Sequence, residues 1–267
     1  QVWAREILDS RSVPTVETAC LLDTGEVAVS SVPSGASTGA HEALELRDAD
    51  PNRFLGMGVL KAVNNINTII APAIAGMDPT DQESIDKKII ALDGTENKSK
   101  LGANATLSVS EVVAKSGAIV SKQPLYSWIF TLASHYDITH TVKVPTPLFN
   151  MINGGKHGAG NLDFQEFWVI PTSDKTFAQG LQMGSEIYIT IGNNLKHKGA
   201  IHSVGDEGGY APDLFTNADA IEIFVESIRQ TNYSLGRDVL LGLDLASNSF
   251  YKDGEYFIRD RASAMTD

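Results

Sequence analysis

The spacing of apolar positions changes along the chain, and each change marks an element. Between residues 15 and 33, Thr15-Val16-Glu17-Thr18-Ala19 alternates, Asp23-Thr24-Gly25 supplies turn residues, and Val27-Ala28-Val29 resumes an extended pattern; a β-hairpin is predicted. The small polar stretch from Pro33 to Glu42 is expected to move, and a helical start is predicted over Glu42 to Arg47. Val59, Val63, Ile66, Ile70 and Ile74 then recur at helical spacing. A second helix opens at Asp78-Pro79-Thr80 and runs through Ile85, Ile89 and Ile90 to Leu92. A third spans Ala103 to Ser121 and stops before Pro124. Strands followed by a run of helices predict an α+β domain.

After Asp137 the pattern alternates. Val144 to Ile152 reads as extended, Phe164 to Ile170 as a buried strand and Phe177 to Leu195 as a helix. Another helix, capped by Thr216 or Asn217, runs through Ile221, Phe224, Val225 and Ile228. Val239-Leu240-Leu241-Gly242-Leu243-Asp244 is a nearly continuous apolar strand ending on a carboxylate, with a hairpin turn at Lys252-Asp253-Gly254-Glu255 behind it. Strands alternating with helices predict a largely parallel sheet or barrel.

Composition narrows the function classes. The 267 residues, 42% hydrophobic, suffice for one large or two ordinary cores. With 33 acidic against 21 basic side chains, a net charge of -12 and no basic run, nucleic acid and anionic membranes are poor partners. No apolar run reaches the length of a membrane span. The single Cys20 excludes an internal disulfide and fits a reducing, cytoplasmic setting. The chain opens on Gln1 rather than methionine, so a trimmed start or a fragment is expected.

The candidate chemistry gathers around His202 to Pro212, where Asp206 and Glu207 sit between glycines that let a ligand approach the backbone; a surface acidic turn is the alternative. Asp244 ends an apolar strand, where an acid is costly unless paired, hydrogen-bonded or bound to metal; it could equally cap the next segment. Gln165-Glu166 falls inside an apolar strand, so one of the two should point inward, with an arginine partner as the plain alternative for Glu166. His157 lies in Asn153 to Gly160, a loop too glycine-rich to be rigid, and its ordinary pKa range suits proton traffic. Strand-end acids, an acidic turn and a loop histidine suit metal-assisted proton chemistry on a small anion, because an acidic protein must import positive charge to bind one.

These residues resemble the enolase family. Ile7-Leu8-Asp9-Ser10-Arg11 with Pro14 to Glu17, Pro33 to His41, Lys98 to Asn104, Phe164 to Phe167, Val204 to Gly209, and Gly242-Leu243-Asp244 with Ala246-Ser247 all fall in that family's order. The resemblance implies an α+β cap domain over 1-135 and, over 140-267, the first part of a TIM-like β/α barrel. It implies Mg²⁺-dependent, reversible dehydration of 2-phosphoglycerate to phosphoenolpyruvate in glycolysis, with two Mg²⁺ sites per subunit. Glu207 would be the acid that helps the hydroxyl leave, with Glu166 beside it; Gln165 would touch substrate and His157 would close over it. Asp244 would bind the first Mg²⁺ and Ser37, on a lid hinged at Gly35 and Gly39, the second. A cytoplasmic homodimer with contacts at Arg5 and Glu17 is implied, and a cell-surface or secreted appearance is compatible with the family.

Two departures bear on this. Ser12-Val13 replaces the family's usual Gly-Asn, and Ser249 stands where an acid is usual. A β/α barrel takes about 250 residues and roughly half that number follows the cap region, so an incomplete barrel is expected, lacking the lysine base and two metal carboxylates. A non-catalytic, enolase-like binding or scaffold module is the alternative reading.

Overall fold

The alternation that predicts a hairpin becomes part of a three-stranded antiparallel sheet, β1 (Val2–Leu8), β2 (Pro14–Leu21) and β3 (Val27–Val32), in that order. The computed structural model describes residues 1–35, 38–136, 141–158 and 162–266. The chain divides into two units, Gln1–Val142 and Lys143–Asp267.

In the first unit, β1 was not marked by the hydrophobic pattern. Trp3 and Arg5 are exposed on one face and only Ala4 is buried on the other, so its periodicity is weak. The first predicted helix forms as α1 (Leu60–Asn65) and α2 (Ala71–Ile74), joined by a π turn over Ile66–Ile70. The turn keeps Ile66 and Ile70 buried and presents Asn67 to β1, where its amide accepts from the Ala4 N–H (2.8 Å) and donates to the Ala4 carbonyl (3.1 Å). One side chain thereby completes a strand edge, which gives the widened helical turn a structural reason. Helices α3 (Gln82–Asp93), which Asp81 caps by accepting from Ser84, and α4 (Ala103–Val120) follow their predicted apolar stripes. Ile85, Ile89, Val109 and Val113 join Val16 and Ile66 in one core.

The predicted helical start at Glu42 to Arg47 does not form. Its backbone is taken by distant partners: Leu44 donates to Asn97 O and accepts from Ala103, and Leu46 exchanges bonds with the Asn104 amide. Arg47 reaches Pro14 O, Met57 O and Glu45. Helix α5 (Leu125–Ser134) was not predicted; Pro124 read as a stop, yet it occupies the N-cap position, where its fixed φ fits a start.

In the second unit, β4 (Phe149–Asn153), β5 (Glu166–Pro171) and β6 (Val239–Asp244) form a sheet in that order, with both pairings antiparallel. The expectation of a largely parallel arrangement is corrected for these described strands. No long helix separates β4 from β5, and two helices, α6 (Phe177–His197) and α7 (Asn217–Arg229), separate β5 from β6. A single crossover helix returns the chain for a parallel strand; two bring it back for an antiparallel one. Thr176 and Thr216 each close a capping box on these helices. The helix-facing side of the sheet, with Ile152, Phe167 and Val169, packs on Met183, Ile187, Ile191, Phe224 and Ile228. A short hairpin, β7 (Tyr251–Lys252) and β8 (Glu255–Tyr256), stands at the predicted turn.

At the start of β6, Asp238 accepts from the Ser234 N–H and from Lys175 and Arg237. The Ser234 backbone bond first, then the two cations, hold its carboxyl at about 2 against an ordinary 3.8. A depressed folded-state pKa gives stability that is complete above the ordinary value and lost as pH falls through the folded one. Asp238→Asn is therefore expected to flatten the acid limb of urea-unfolding midpoints between pH 3.8 and about 2; an unchanged slope would show that Asp238 does not govern it. In the first unit, Asn67→Ala should lower the unfolding free energy by about 1–3 kcal/mol, since it strands two backbone groups of Ala4.

Candidate active site

A β-bulge sets the site. The register of β4 against β5 shifts between Asn150 and Ile152, so that Asn150 pairs with Trp168 and Asn153 with Glu166. Regular alternation would send residues three apart to opposite faces; the extra residue puts Asn150 and Asn153 on the same one. They then bond directly, Asn150 Nδ2 donating to Asn153 Oδ1 at 2.9 Å. On the next strand Glu166 pairs with Asp244. Asn153, Glu166 and Asp244 thus form one row across the sheet, at the C-terminal ends of β4 and β6 and the start of β5.

Each predicted residue in this unit has a defined seat. Gln165 is buried just before β5; its N–H donates to Asp244 O at 3.0 Å and its Nε2 to Asp244 Oδ2 at 3.4 Å. The other Asp244 oxygen accepts from the Ala246 N–H at 3.0 Å. Glu166 does not face an arginine; it accepts from Trp168 Nε1 at 2.5 Å, two residues along the same face. The indole lies over Gly242, where a Cβ would come within 3.1 Å of the ring. His157 is seated rather than loose. It ends a short 3₁₀ turn, Gly155–His157, pinned by Gly154 N–H to Gln165 O (2.8 Å) and Gly155 N–H to Leu162 O (2.9 Å), and its side chain is only 3% exposed. Its Nε2 stands 3.3 Å from Glu207 Oε1, an ion pair when the imidazole is protonated. Ser37, placed by the resemblance on a lid, lies outside the described residues.

The turn that carries Glu207 closes on itself through Gly205 N–H to Gly209 O (2.8 Å) and Gly208 N–H to Gly205 O (3.0 Å). It docks on the outer edge of β4, where Tyr210 N–H donates to Met151 O and Asn153 N–H to Tyr210 O, both at 2.8 Å. Asp206 is exposed on the turn. Tyr188, on α6, donates to Gly208 O at 2.9 Å and stacks on Tyr210 with ring centroids 4.4 Å apart. Asn150, Asn153, Trp168 and Tyr188 were not singled out from sequence. The only signal for the two asparagines is their polarity inside an extended apolar stretch, and alternation would have separated them.

The site's electrostatics favour a cation. Glu166 and Asp244 stand opposite each other on neighbouring strands, and no lysine or arginine pairs with either among the described residues. Opposed like charges cost stability unless something positive joins them. Asp244, with hydrogen bonds only to an amide and a backbone N–H, fits as one oxygen ligand of a hard dication. No group of three or more His, Cys, Asp or Glu able to hold a metal occurs among the described residues, so Asp244 does not complete a coordination shell with them.

Residues 1–129 match the family model for the enolase N-terminal domain, and residues 141–265 match that for the enolase C-terminal TIM barrel domain. No helix among the described residues is long and apolar enough to cross a membrane. The two matches follow one another along nearly the whole sequence, and the chain belongs to the enolase family.

Proposed function

We propose that this protein takes part in the reversible dehydration of 2-phosphoglycerate to phosphoenolpyruvate. The observation that carries the reading is the seating of Glu207 and His157, 3.3 Å apart, at the sheet end where Gln165, Glu166 and Asp244 also lie. Losing a hydroxyl as water requires a proton at that oxygen, and Glu207, whose side chain is 31% exposed beside His157, is the acid assigned to supply it. His157 stabilises the carboxylate left after transfer. Glu166, held by Trp168, sets the charge beside it, and Gln165 orients Asp244 while offering its amide to substrate. Mg²⁺, the ion of this family, would supply Lewis-acid stabilisation of an anionic substrate, with Asp244 among its ligands. Ser37 as a second metal contact, a cytoplasmic setting and a homodimer follow from the resemblance. For the last, the uncovered sheet face bearing Trp3, Val29 and the Arg5–Glu17 pair gives supporting surface.

Glu207→Gln should lower phosphoenolpyruvate formation by about 10²–10⁴-fold, the range for a positioned proton donor, with an unchanged far-UV circular dichroism spectrum. Wild-type turnover in that variant would remove Glu207 from the acid role. Asp244→Asn should weaken Mg²⁺ binding measured by calorimetry, and equal affinity would exclude it as a ligand. A wild-type protein that binds 2-phosphoglycerate but never converts it would favour a non-catalytic, enolase-like module.

A further inference from the structure

Two neighbouring amides under the acidic turn are incompletely satisfied. Among the described residues of the second unit, Asn150 Oδ1 and Asn153 Nδ2 are buried without a hydrogen-bond partner, and His157 Nε2 beside them has only the Glu207 carboxylate at 3.3 Å. Asn153 is completely buried and lies under that turn. A Cβ at Gly209 would stand 2.0 Å from Asn153 Oδ1 and 3.1 Å from both Asn150 Oδ1 and the Ile152 N, and one at Gly205 would stand 2.9 Å from the His157 carbonyl oxygen and 3.1 Å from Asn153 Nδ2. No positive φ is recorded at Gly205 or Gly209, so close approach, chiefly to the Asn153 amide at Gly209 and to the His157 carbonyl and that amide at Gly205, rather than backbone conformation, is what requires glycine there.

The amide also links the turn to the acids. Asn153 shares a row with Glu166 and Asp244, its backbone N–H holds Tyr210 O, and its Oδ1 accepts from Asn150, which in turn donates to the Glu207 carbonyl at 3.3 Å. The orientation is set by that last contact. Turned over, both amides would press the Asn150 oxygen against the Glu207 carbonyl oxygen. A buried amide with a spare N–H costs about 1–3 kcal/mol, and an apolar side chain of similar size would avoid that cost but would give up the bond from Asn150 that leads to the turn.

We propose that Asn153 is the positioning residue of the acidic turn: packed beneath Gly205 and Gly209 and tied through Asn150 to the Glu207 backbone, it registers Glu207 and its partner His157 to the row of Glu166 and Asp244. The catalytic part of this claim rests on the reading of Glu207 as proton donor, whereas the structural part does not.

A double-mutant cycle with Gly209→Ala and Asn153→Ala tests it, read by amide hydrogen exchange on the chain. In the otherwise wild-type chain, Gly209→Ala should reduce protection of the Gly205, Gly208 and Tyr210 amides by about tenfold or more, because the new Cβ meets the Asn153 amide. In the Asn153→Ala background the same change should have a severalfold smaller effect, because only the 3.1 Å approaches to Asn150 Oδ1 and the Ile152 N remain. Equal effects in the two backgrounds would overturn the proposal. So would an Asn153→Ala loss of protection spread evenly over α6, as expected for a plain core variant such as Ile187→Val. If Asn153→Ala does not fold, Asn153→Ser, which also vacates the space under Gly209, replaces it in the cycle with the same expected outcomes. In turnover assays, Asn153→Ala should lower kcat for 2-phosphoglycerate by about 10²-fold with KM within about threefold; a change confined to KM would refute the positioning role. Absence of wild-type turnover would sink the functional reading, and the exchange cycle would still decide whether Asn153 places the turn.

Discussion

The register that lines up Asn153, Glu166 and Asp244 is the constraint on which the second unit depends. It follows from one irregularity, the bulge in β4, and from antiparallel pairing on both sides of β5. Side chains change faces with every residue of a strand, so a slip of one position would exchange the polar row for Phe167 and Leu243 and turn the acids toward the helices. The helix-facing apolar set, with Ile152, Phe167 and Val169 against Met183, Ile187 and Phe224, strongly disfavours such a slip. The hydrophobic face therefore fixes the chemistry on the opposite face, although it contributes no atom to it.

Much of this was legible in the sequence wherever one periodicity ran without interruption. The stripes of α3, α4, α6 and α7, the hairpin of β2 and β3 and the strand β6 all announced themselves, because each buries one continuous face. Elements failed to show where tertiary partners replaced local ones. Glu42 to Arg47 carries helix-forming residues, but its backbone pairs with Asn97, Ala103 and Asn104, and those bonds cannot be inferred from spacing. Strand direction is a different case: the two helices predicted between Phe164 to Ile170 and Val239 to Asp244 already imply an antiparallel return, but that the two strands are neighbours in the sheet is a tertiary fact that spacing does not carry.

The candidate site divides in the same way. Asp244 and Glu207 stood out because acids at a strand end and between glycines break an expected pattern. Asn150, Asn153 and Trp168 did not, since polar or aromatic residues in a strand are ordinary and only the bulge makes the asparagines neighbours. His157 was expected to be loose on account of its glycines, and it is instead buried, because Gly154 and Gly155 bond to Gln165 and Leu162. Glycine content measures what the backbone can do; hydrogen bonds determine what it does.

The arrangement also separates where charge is tolerated from where it is needed. In the first unit Glu6 accepts from Arg53 and from the Val59 N–H, and the arginine bonds, ahead of the opposing effect of burial, hold its carboxyl below the usual range. Asp238 is treated similarly by Ser234, Lys175 and Arg237. Those acids are neutralised by the fold itself. Glu166 and Asp244 receive only an indole N–H, an amide and a backbone N–H, dipoles that orient a carboxylate without cancelling its charge. Among the described residues, this opposed pair is therefore left without a lysine or arginine, on a protein whose net charge is -12. On the proposed function, an anionic substrate held beside these two carboxylates gains from imported positive charge, so the binding of cation and anion there should be linked rather than independent.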